Sequence, residues 1–287
     1  MLAQRVLTAI VLLAVLGGAL LAPGPWPLAA VLTVAAACAL WEWLRLSWPA
    51  AHSRAPVVIS AAAAVLMAGL LGHRLGLAQW QPLDLVHDGL RNPLLPVVAA
   101  LWIFGATAVV VRGRLPGRPA DVFLSAFALA AVPVAWLSLL DLFLGHGAWC
   151  LISLLALIWC ADIAAYFTGK AFGRRKLAPA ISPGKTWEGA VGGIAAGTLW
   201  VAASAGWPGS FGAALRHEFP WWAVLLIAAL LSALSIVGDL FESLLKRRAG
   251  VKDSSQLLPG HGGVYDRIDA LLPVAPVALL LIGASPQ

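Results

Sequence analysis

The sequence predicts an all-helical, polytopic membrane bundle, and three observations carry that prediction. Hydrophobic residues make up 61% of the 287 positions and charged residues 11%, where a soluble domain carries about 25% charged residues. Mean hydropathy is +0.89, and apolar runs of 17 to 22 residues recur along the chain, each long enough to cross roughly 30 Å of hydrocarbon as a helix. Of the 19 Lys and Arg residues, 16 fall in alternate connections between those runs or at the N-terminus. A soluble globular domain, a disordered chain, a collagen and a disulfide scaffold are excluded together. Cys38, Cys150 and Cys160 lie inside apolar runs without metal-type spacing, so they read as small packing residues.

Nine candidate spans follow in order: 6–22, 27–44, 56–72, 93–111, 120–140, 147–167, 188–206, 220–241 and 268–284. Arg5 and the small residues ending near Ala22 give the first span the look of a signal peptide, but eight further spans favour an uncleaved helix. Glu42, between Trp41 and Trp43 and just before Arg45, predicts an interfacial anchor. The linker 73–92 mixes Asp84, His87, Asp88 and Arg91 with Pro and Gly, and predicts a solvated loop without chemistry. Abundant alanine throughout serves close helix approach. With the N-terminus cytoplasmic, 16 of the 19 bases fall on that side: Arg5, Arg45, Arg54, Arg112, Arg114, Arg118, Lys170, Arg174, Arg175, Lys176, Lys185, Lys246, Arg247, Arg248, Lys252 and Arg267. Only Arg74, Arg91 and Arg216 fall on the far side. The positive-inside rule then predicts N-terminus in and C-terminus out.

From Asp162 onward the acids change character. Asp162, Glu188, Asp239, Glu242, Asp253, Asp266 and Asp269 are all expected on the cytoplasmic side, with Glu218 the exception. An acid near hydrocarbon costs about 2.5 to 3.5 kcal/mol on insertion scales and faces a bundle interior or polar cavity. Several converging on one side point to a site. On a continuing helix Asp239, Glu242, Ser243 and Lys246 stand at i, i+3, i+4 and i+7 and share one face. A snorkelling helix end accounts for Lys246 and Arg247, but not for Asp239 beside the apolar run. Further on, Pro259-Gly260-His261-Gly262-Gly263 reads as a loop whose glycines allow positive φ and close backbone approach to a phosphate, or as a plain glycine turn. Asp266 and Asp269, three apart at a helix start, suit dipole complementation as well as chemistry.

Taken together these features have a pattern. Ser243, Lys246-Arg247, Lys252-Asp253, Pro259, His261-Gly262-Gly263 and Asp266-Arg267-Ile268-Asp269 resemble the signature of the phosphatidate cytidylyltransferase (CDP-diacylglycerol synthase) family. The segment Ser182-Pro183-Gly184-Lys185-Thr186-Trp187-Glu188-Gly189 is similar to a second motif of that family, with Gly184 where many relatives carry lysine. Asp162 looks like its intramembrane acid. The resemblance covers residues from about 159 to the end. No retention or transit signal appears, so a bacterial plasma (inner) membrane location is expected. The resemblance implies conversion of CTP and phosphatidate into CDP-diacylglycerol and pyrophosphate, and a divalent metal. It also divides the chain into scaffold spans, 1–118, and a catalytic membrane region with a polar site facing the cytoplasm, 119–287.

The residue chemistry agrees. A phosphatidate oxygen is anionic at neutral pH, so its attack on the α-phosphorus of CTP needs charge neutralisation and alignment more than a base. Mg²⁺ binds through one or two carboxylates plus substrate phosphates. Asp239 and Asp266, which also match the family's cation-binding acids, are the leading ligands, with Glu242 and Asp162 as second choices or as acceptors orienting them, and a second cation is left open. Lys185, Lys246, Arg247 and Lys252 are candidates for the triphosphate and the lipid phosphate. His261 could donate to departing pyrophosphate. Ser182, Ser243, Gly262, Gly263 and Arg267 complete the expected substrate contacts. No Walker A, Rossmann fingerprint or nucleophile elbow occurs. The alternatives are a transporter, since intramembrane acids and Pro-interrupted helices also mark ion pathways, or a related lipid-phosphate nucleotidyltransferase or lipid kinase. Membrane lipids are the expected surroundings, a homodimer is left open, and no nucleic acid is expected.

Overall fold

The computed structural model describes residues 2–50, 53–77, 80–114 and 119–284. Arg118, and with it the expected domain boundary, lies outside the described residues. Helices dominate. They begin with α1 (Leu2–Leu21), α2 (Trp26–Ser47) and α3 (Ala55–Arg74). α4 (Gln81–Gly89), α5 (Leu95–Ala100) and α6 (Thr107–Arg112) are joined by π-helical turns at Leu90–Leu94 and Leu101–Ala106. α7 (Pro119–Phe172) contains a break at Gly147, whose φ of 84° and ψ of 174° are not helical. This break separates the two apolar runs that the sequence divides at the same place. Then come β1 (Lys176–Ala178), β2 (Ser182–Thr186), α8 (Trp187–Ser204), α9 (Phe211–Glu218), α10 (Trp221–Arg248), α11 (Tyr265–Ile268) and α12 (Leu271–Ile282).

Among the described residues, five helices are long and apolar enough to cross a membrane: Trp26–Ser47, Ala55–Arg74, Gln81–Arg112, Asp121–Phe172 and Trp221–Arg248. The apolar helices Val6–Leu21 and Leu271–Ile282 are shorter. Two local expectations change. The linker 73–92 is no loop, because α4 starts within it. Pro82 occupies the first turn of α4, where its missing N–H costs nothing, and Leu83 and His87 form a buried i, i+4 face. The all-helical class holds, with one short addition: β1 and β2 form an antiparallel pair with Lys176 opposite Thr186 and Ala178 opposite Ser182. The last apolar run yields only the 12-residue α12, preceded by the single turn α11.

The chain forms two compact units. The first comprises residues 1–98, 115–140 and 245–268. Its core is built on Trp43, which stacks on Tyr265 at 5.3 Å and 6° and meets Phe127 edge-on at 5.5 Å. Trp136 Nε1 donates to Thr33 Oγ1 (3.0 Å), and the Ser47 and Ser125 hydroxyls hydrogen-bond at 3.0 Å. Arg248 pairs with Asp121 at 2.6 Å.

The second unit comprises residues 99–114, 141–244 and 269–287. Trp102 meets Phe241 edge-on at 5.2 Å. Here α8 lies unusually close to the second half of α7. A Cβ on Gly193 would come within 2.7 Å of the Ala161 carbonyl oxygen, and one on Gly189 within 2.8 Å of that of Ala165. Only glycine permits this approach, which holds the hairpin preceding α8 beside the Asp162 turn of α7.

Candidate active site

The second unit gathers acids around Gly238. A Cβ there would meet the Asp269 carbonyl oxygen at 2.5 Å and Ala270 Cα at 3.0 Å, so the glycine lets this turn of α10 touch the α11–α12 junction. The next residue, Asp239, and Glu242 one turn on are thereby brought to Asp269. Ligand oxygens of the three all lie within 4.8 Å of one another. Glu242 is buried, whereas Asp239 and Asp269 are half-buried. Three carboxylates so close repel one another unless a cation sits among them. Their oxygen-only donor set suits a hard ion such as Mg²⁺ better than zinc or copper.

One cation of the protein is already present. Lys185 Nζ lies 2.5 Å from Asp239 Oδ2, and Ser243 Oγ donates to Asp239 Oδ1 over 3.4 Å. The motif around Lys185 is what places it. Thr186 caps α8 by accepting from Gly189 N–H (3.1 Å), as Ser and Thr at an N-cap do. Glu188 accepts from the N–H groups of Arg174 and Arg175 (3.1 and 3.3 Å), and Trp187 N–H donates to the Arg175 carbonyl (2.9 Å). Thr186 and Glu188 therefore fix the hairpin, and Lys185 projects from it. Asp162, Ser182, Lys185 and Asp239 line one cleft of about 550 Å³. Four residues singled out from three separate segments of the sequence thus line one cleft.

The first unit holds the remaining motif. Asp266, its side chain 4% exposed, pairs with Lys246 at 2.5 Å. It also accepts from Ser254 N–H (2.9 Å), Ser254 Oγ (2.7 Å) and Gly263 N–H (2.7 Å). Asp266 was expected to be a metal ligand with Asp239; here its oxygens clasp the two ends of the glycine loop to Lys246. Gly262 has φ +86° and pairs with Leu258 in both directions, by N–H donation at 3.1 Å and carbonyl acceptance at 2.8 Å. His261 N–H donates to the Leu258 carbonyl (2.9 Å), and Arg267 Nη2 donates to the His261 carbonyl (2.9 Å). Arg267 thus braces the loop in this structure. Arg247 and Lys252 are exposed.

Two residues have a place that their sequence reading does not include. Asp269 counts among the converging acids and in the signature motif, but not among the expected metal ligands, and the structure sets it beside Asp239 and Glu242. Glu42, expected as an interfacial anchor, is instead fully buried. It accepts from Ser254 Oγ (3.0 Å), Ser255 Oγ (2.5 Å), Val264 N–H (3.0 Å) and Tyr265 N–H (2.6 Å). A Cβ on Gly263 would strike Ser254 Oγ and lie 2.5 Å from Glu42 Oε1, so this glycine is required by the carboxylate beneath it. The cost of an acid within an apolar run was the available signal.

A model of the cytidylyltransferase family matches residues 3–284. A phosphatidate cytidylyltransferase of Pseudomonas aeruginosa is 41% identical, with 99% of this chain and 98% of that protein covered. One from Haemophilus influenzae is 33% identical over 96% of both. One from Brucella suis is 50% identical over 137 residues, 47% of this chain and 46% of that protein. The match runs through both units and both motif regions, and the chain belongs to the cytidylyltransferase family.

Proposed function

We propose that this membrane protein transfers the cytidylyl group of CTP to phosphatidate, giving CDP-diacylglycerol and pyrophosphate. The observation that best supports the reading is the cleft in which Lys185 and Asp239 stand 2.5 Å apart, in a chain matched along its length by phosphatidate cytidylyltransferases. An anionic oxygen of phosphatidate attacks the α-phosphorus of CTP, the bond to the β-phosphate breaks, and pyrophosphate leaves with the electron pair. No proton need be removed from the nucleophile. Asp239, Glu242 and Asp269 would hold Mg²⁺, which supplies neutralisation of phosphate charge when bound. Lys185 exchanges its partner Asp239 for a phosphate oxygen, and Ser182 offers a hydroxyl in the same cleft. Asp162 keeps the cleft acidic and polar. In the first unit Asp266 orders the glycine loop and holds the Lys246 ammonium in place, and Arg247 and Lys252 are exposed bases of that unit. Purified protein supplied with phosphatidate and labelled CTP or ATP tests the reading: labelled lipid should form from CTP alone. Transfer of an α-phosphate label from ATP would make the chain an adenylyltransferase, transfer of a γ-phosphate label would make it a lipid kinase, and no transfer from either nucleotide would remove the enzymatic reading.

Lys185→Met keeps the apolar stem and removes the charge. Turnover should fall by about 10²-fold, the order lost with one preorganised charged donor, in protein that elutes as wild type from size exclusion. Wild-type kcat/KM for both substrates would reduce Lys185 to an interfacial anchor.

The chain is further proposed to cross a bacterial inner membrane nine times with its N-terminus inside, supported by the 16-to-3 division of bases. A reporter fused after Gly250 should read cytoplasmic, and reporters fused after Gly209 and at the C-terminus should read external. A cytoplasmic C-terminus would remove one crossing and refute the assignment.

A further inference from the structure

The cleft of Lys185 has a neighbour within the second unit. A cavity of about 540 Å³ lies against it, and Leu177, Ala190 and Ile236 line both spaces, so the border between them is apolar. α8 and α10 supply two of its walls. Lys185, just before α8, pairs with Asp239, and a Cβ on Gly197 would meet Ser232 Cβ at 3.2 Å, so the two helices run antiparallel. Ala233 and Leu240 both line the cavity, which at about 1.5 Å of rise per residue gives it about 10 Å along α10. Among the described residues its lining holds one charged side chain, Arg112, and no carboxylate or amide. Arg112 is exposed and ends α6, where the apolar run gives way to Gly113 and Arg114.

Such a lining suits a hydrocarbon chain. A nucleotide base needs partners for its polar edge, and no side-chain acid or amide supplies them here. An acyl chain needs none. Moving that chain from the bilayer into an apolar groove releases little hydrophobic energy, because lipid tails are themselves apolar; what the groove supplies is position. A chain held here that crosses the border at Ile236, one turn before Asp239 on α10, sets its headgroup in the cleft beside Lys185, and fixed placement of a reacting group lowers the barrier. Arg112 favours an anionic lipid over a zwitterionic one.

We propose that this cavity seats an acyl chain of phosphatidate, with Ile194 and Ala233 against the chain and Arg112 attracting the anionic headgroup. The proposal rests on the phosphatidate-dependent function above. It gives α6 a part in lipid selection, whereas the acids beyond the border serve the reaction.

The test is photolabelling of the full chain in phosphatidylcholine vesicles by phosphatidate with a diazirine on its acyl chain, followed by peptide mapping. Label should fall on the α8 and α10 residues that line the cavity, and unlabelled phosphatidate should displace it. Phosphatidylcholine with the same diazirine should label them about fivefold less, the ratio one base near an anionic lipid supplies. Arg112→Gln should remove most of that preference. Ala233→Phe, which fills the cavity, should lower kcat/KM for dipalmitoyl phosphatidate about tenfold, on the scale of lost positioning, in protein that elutes as wild type. It should leave kcat/KM for dibutyryl phosphatidate unchanged, because short chains stop before Ala233. Label elsewhere, equal labelling by the two lipids, an unchanged preference in Arg112→Gln, or an equal effect of Ala233→Phe on both substrates would each overturn the seat while wild-type synthesis of CDP-diacylglycerol stands. Absence of product from the wild-type protein with either phosphatidate would instead overturn the function on which the seat rests, whatever the labelling.

Discussion

Asp239→Asn and Asp269→Asn are each expected to lower turnover by on the order of 10²-fold or more and to raise the Mg²⁺ concentration giving half-maximal activity. The motive is geometric. Oxygens of Asp239, Glu242 and Asp269 lie within 4.8 Å of one another, and removing one charge weakens the field that holds a divalent ion, so more Mg²⁺ is needed to fill the site. Asparagine keeps size and one oxygen, so packing around Gly238 should persist, and thermal unfolding in detergent should change little. It should even rise slightly in apo Asp269→Asn, because a like-charge repulsion is relieved, whereas Asp239→Asn also gives up its pairing with Lys185. Asp266→Asn is the contrasting variant. Its carboxylate is engaged by Lys246, Ser254 and Gly263, so activity should fall together with stability and without a matching change in Mg²⁺ dependence. Mg²⁺ titration of residual activity in all three separates the roles. Unchanged Mg²⁺ dependence in Asp239→Asn and Asp269→Asn, with the change confined to Asp266→Asn, would move the cation to Asp266.

The helical segments were legible because hydrocarbon thickness imposes a length and a composition on every span, and because Gly147 interrupts α7 where the apolar pattern breaks. The hairpin was not legible. Lys176–Ala178 and Ser182–Thr186 are short, carry no alternating pattern, and are set by tertiary bonds from Glu188 and Trp187. α4 was missed for a related reason: its polar composition reads as loop, and only packing reveals the Leu83–His87 face. In the site, the i, i+4 relation of Asp239 and Ser243 could be read directly, since a single helix fixes it, and the Ser243 hydroxyl does donate to Asp239. The partnerships of Lys185 with Asp239 and of Asp269 with Glu242 join segments far apart in sequence. No periodicity encodes such distances; the close approaches at Gly189, Gly193 and Gly238 do, and those are visible only once the helices are packed.

Glu42 should prove the most damaging single truncation outside the acid trio. It lies in an apolar helix, is fully buried, and receives four hydrogen bonds that span the loop from Ser254 to Tyr265. Glu42→Ala removes the acceptor and leaves two hydroxyls and two backbone N–H groups without it. Stranding a buried donor costs about 1–3 kcal/mol, and breaking a buried charged network costs about 3–5 kcal/mol in all. Loosening of the loop would also release Asp266 through Ser254 and Gly263, so the Lys246 ammonium would lose its fixed place and turnover should fall by at least about tenfold. Glu42→Gln keeps the volume and one oxygen but turns an NH₂ group toward donors, so its loss should be intermediate. The measurement is the thermal midpoint of purified protein in detergent beside kcat for each variant. An interfacial anchor would lose neither, because a partly solvated carboxylate contributes little. A Glu42→Ala protein with wild-type midpoint and wild-type turnover would therefore refute the clasp and return Glu42 to the membrane surface.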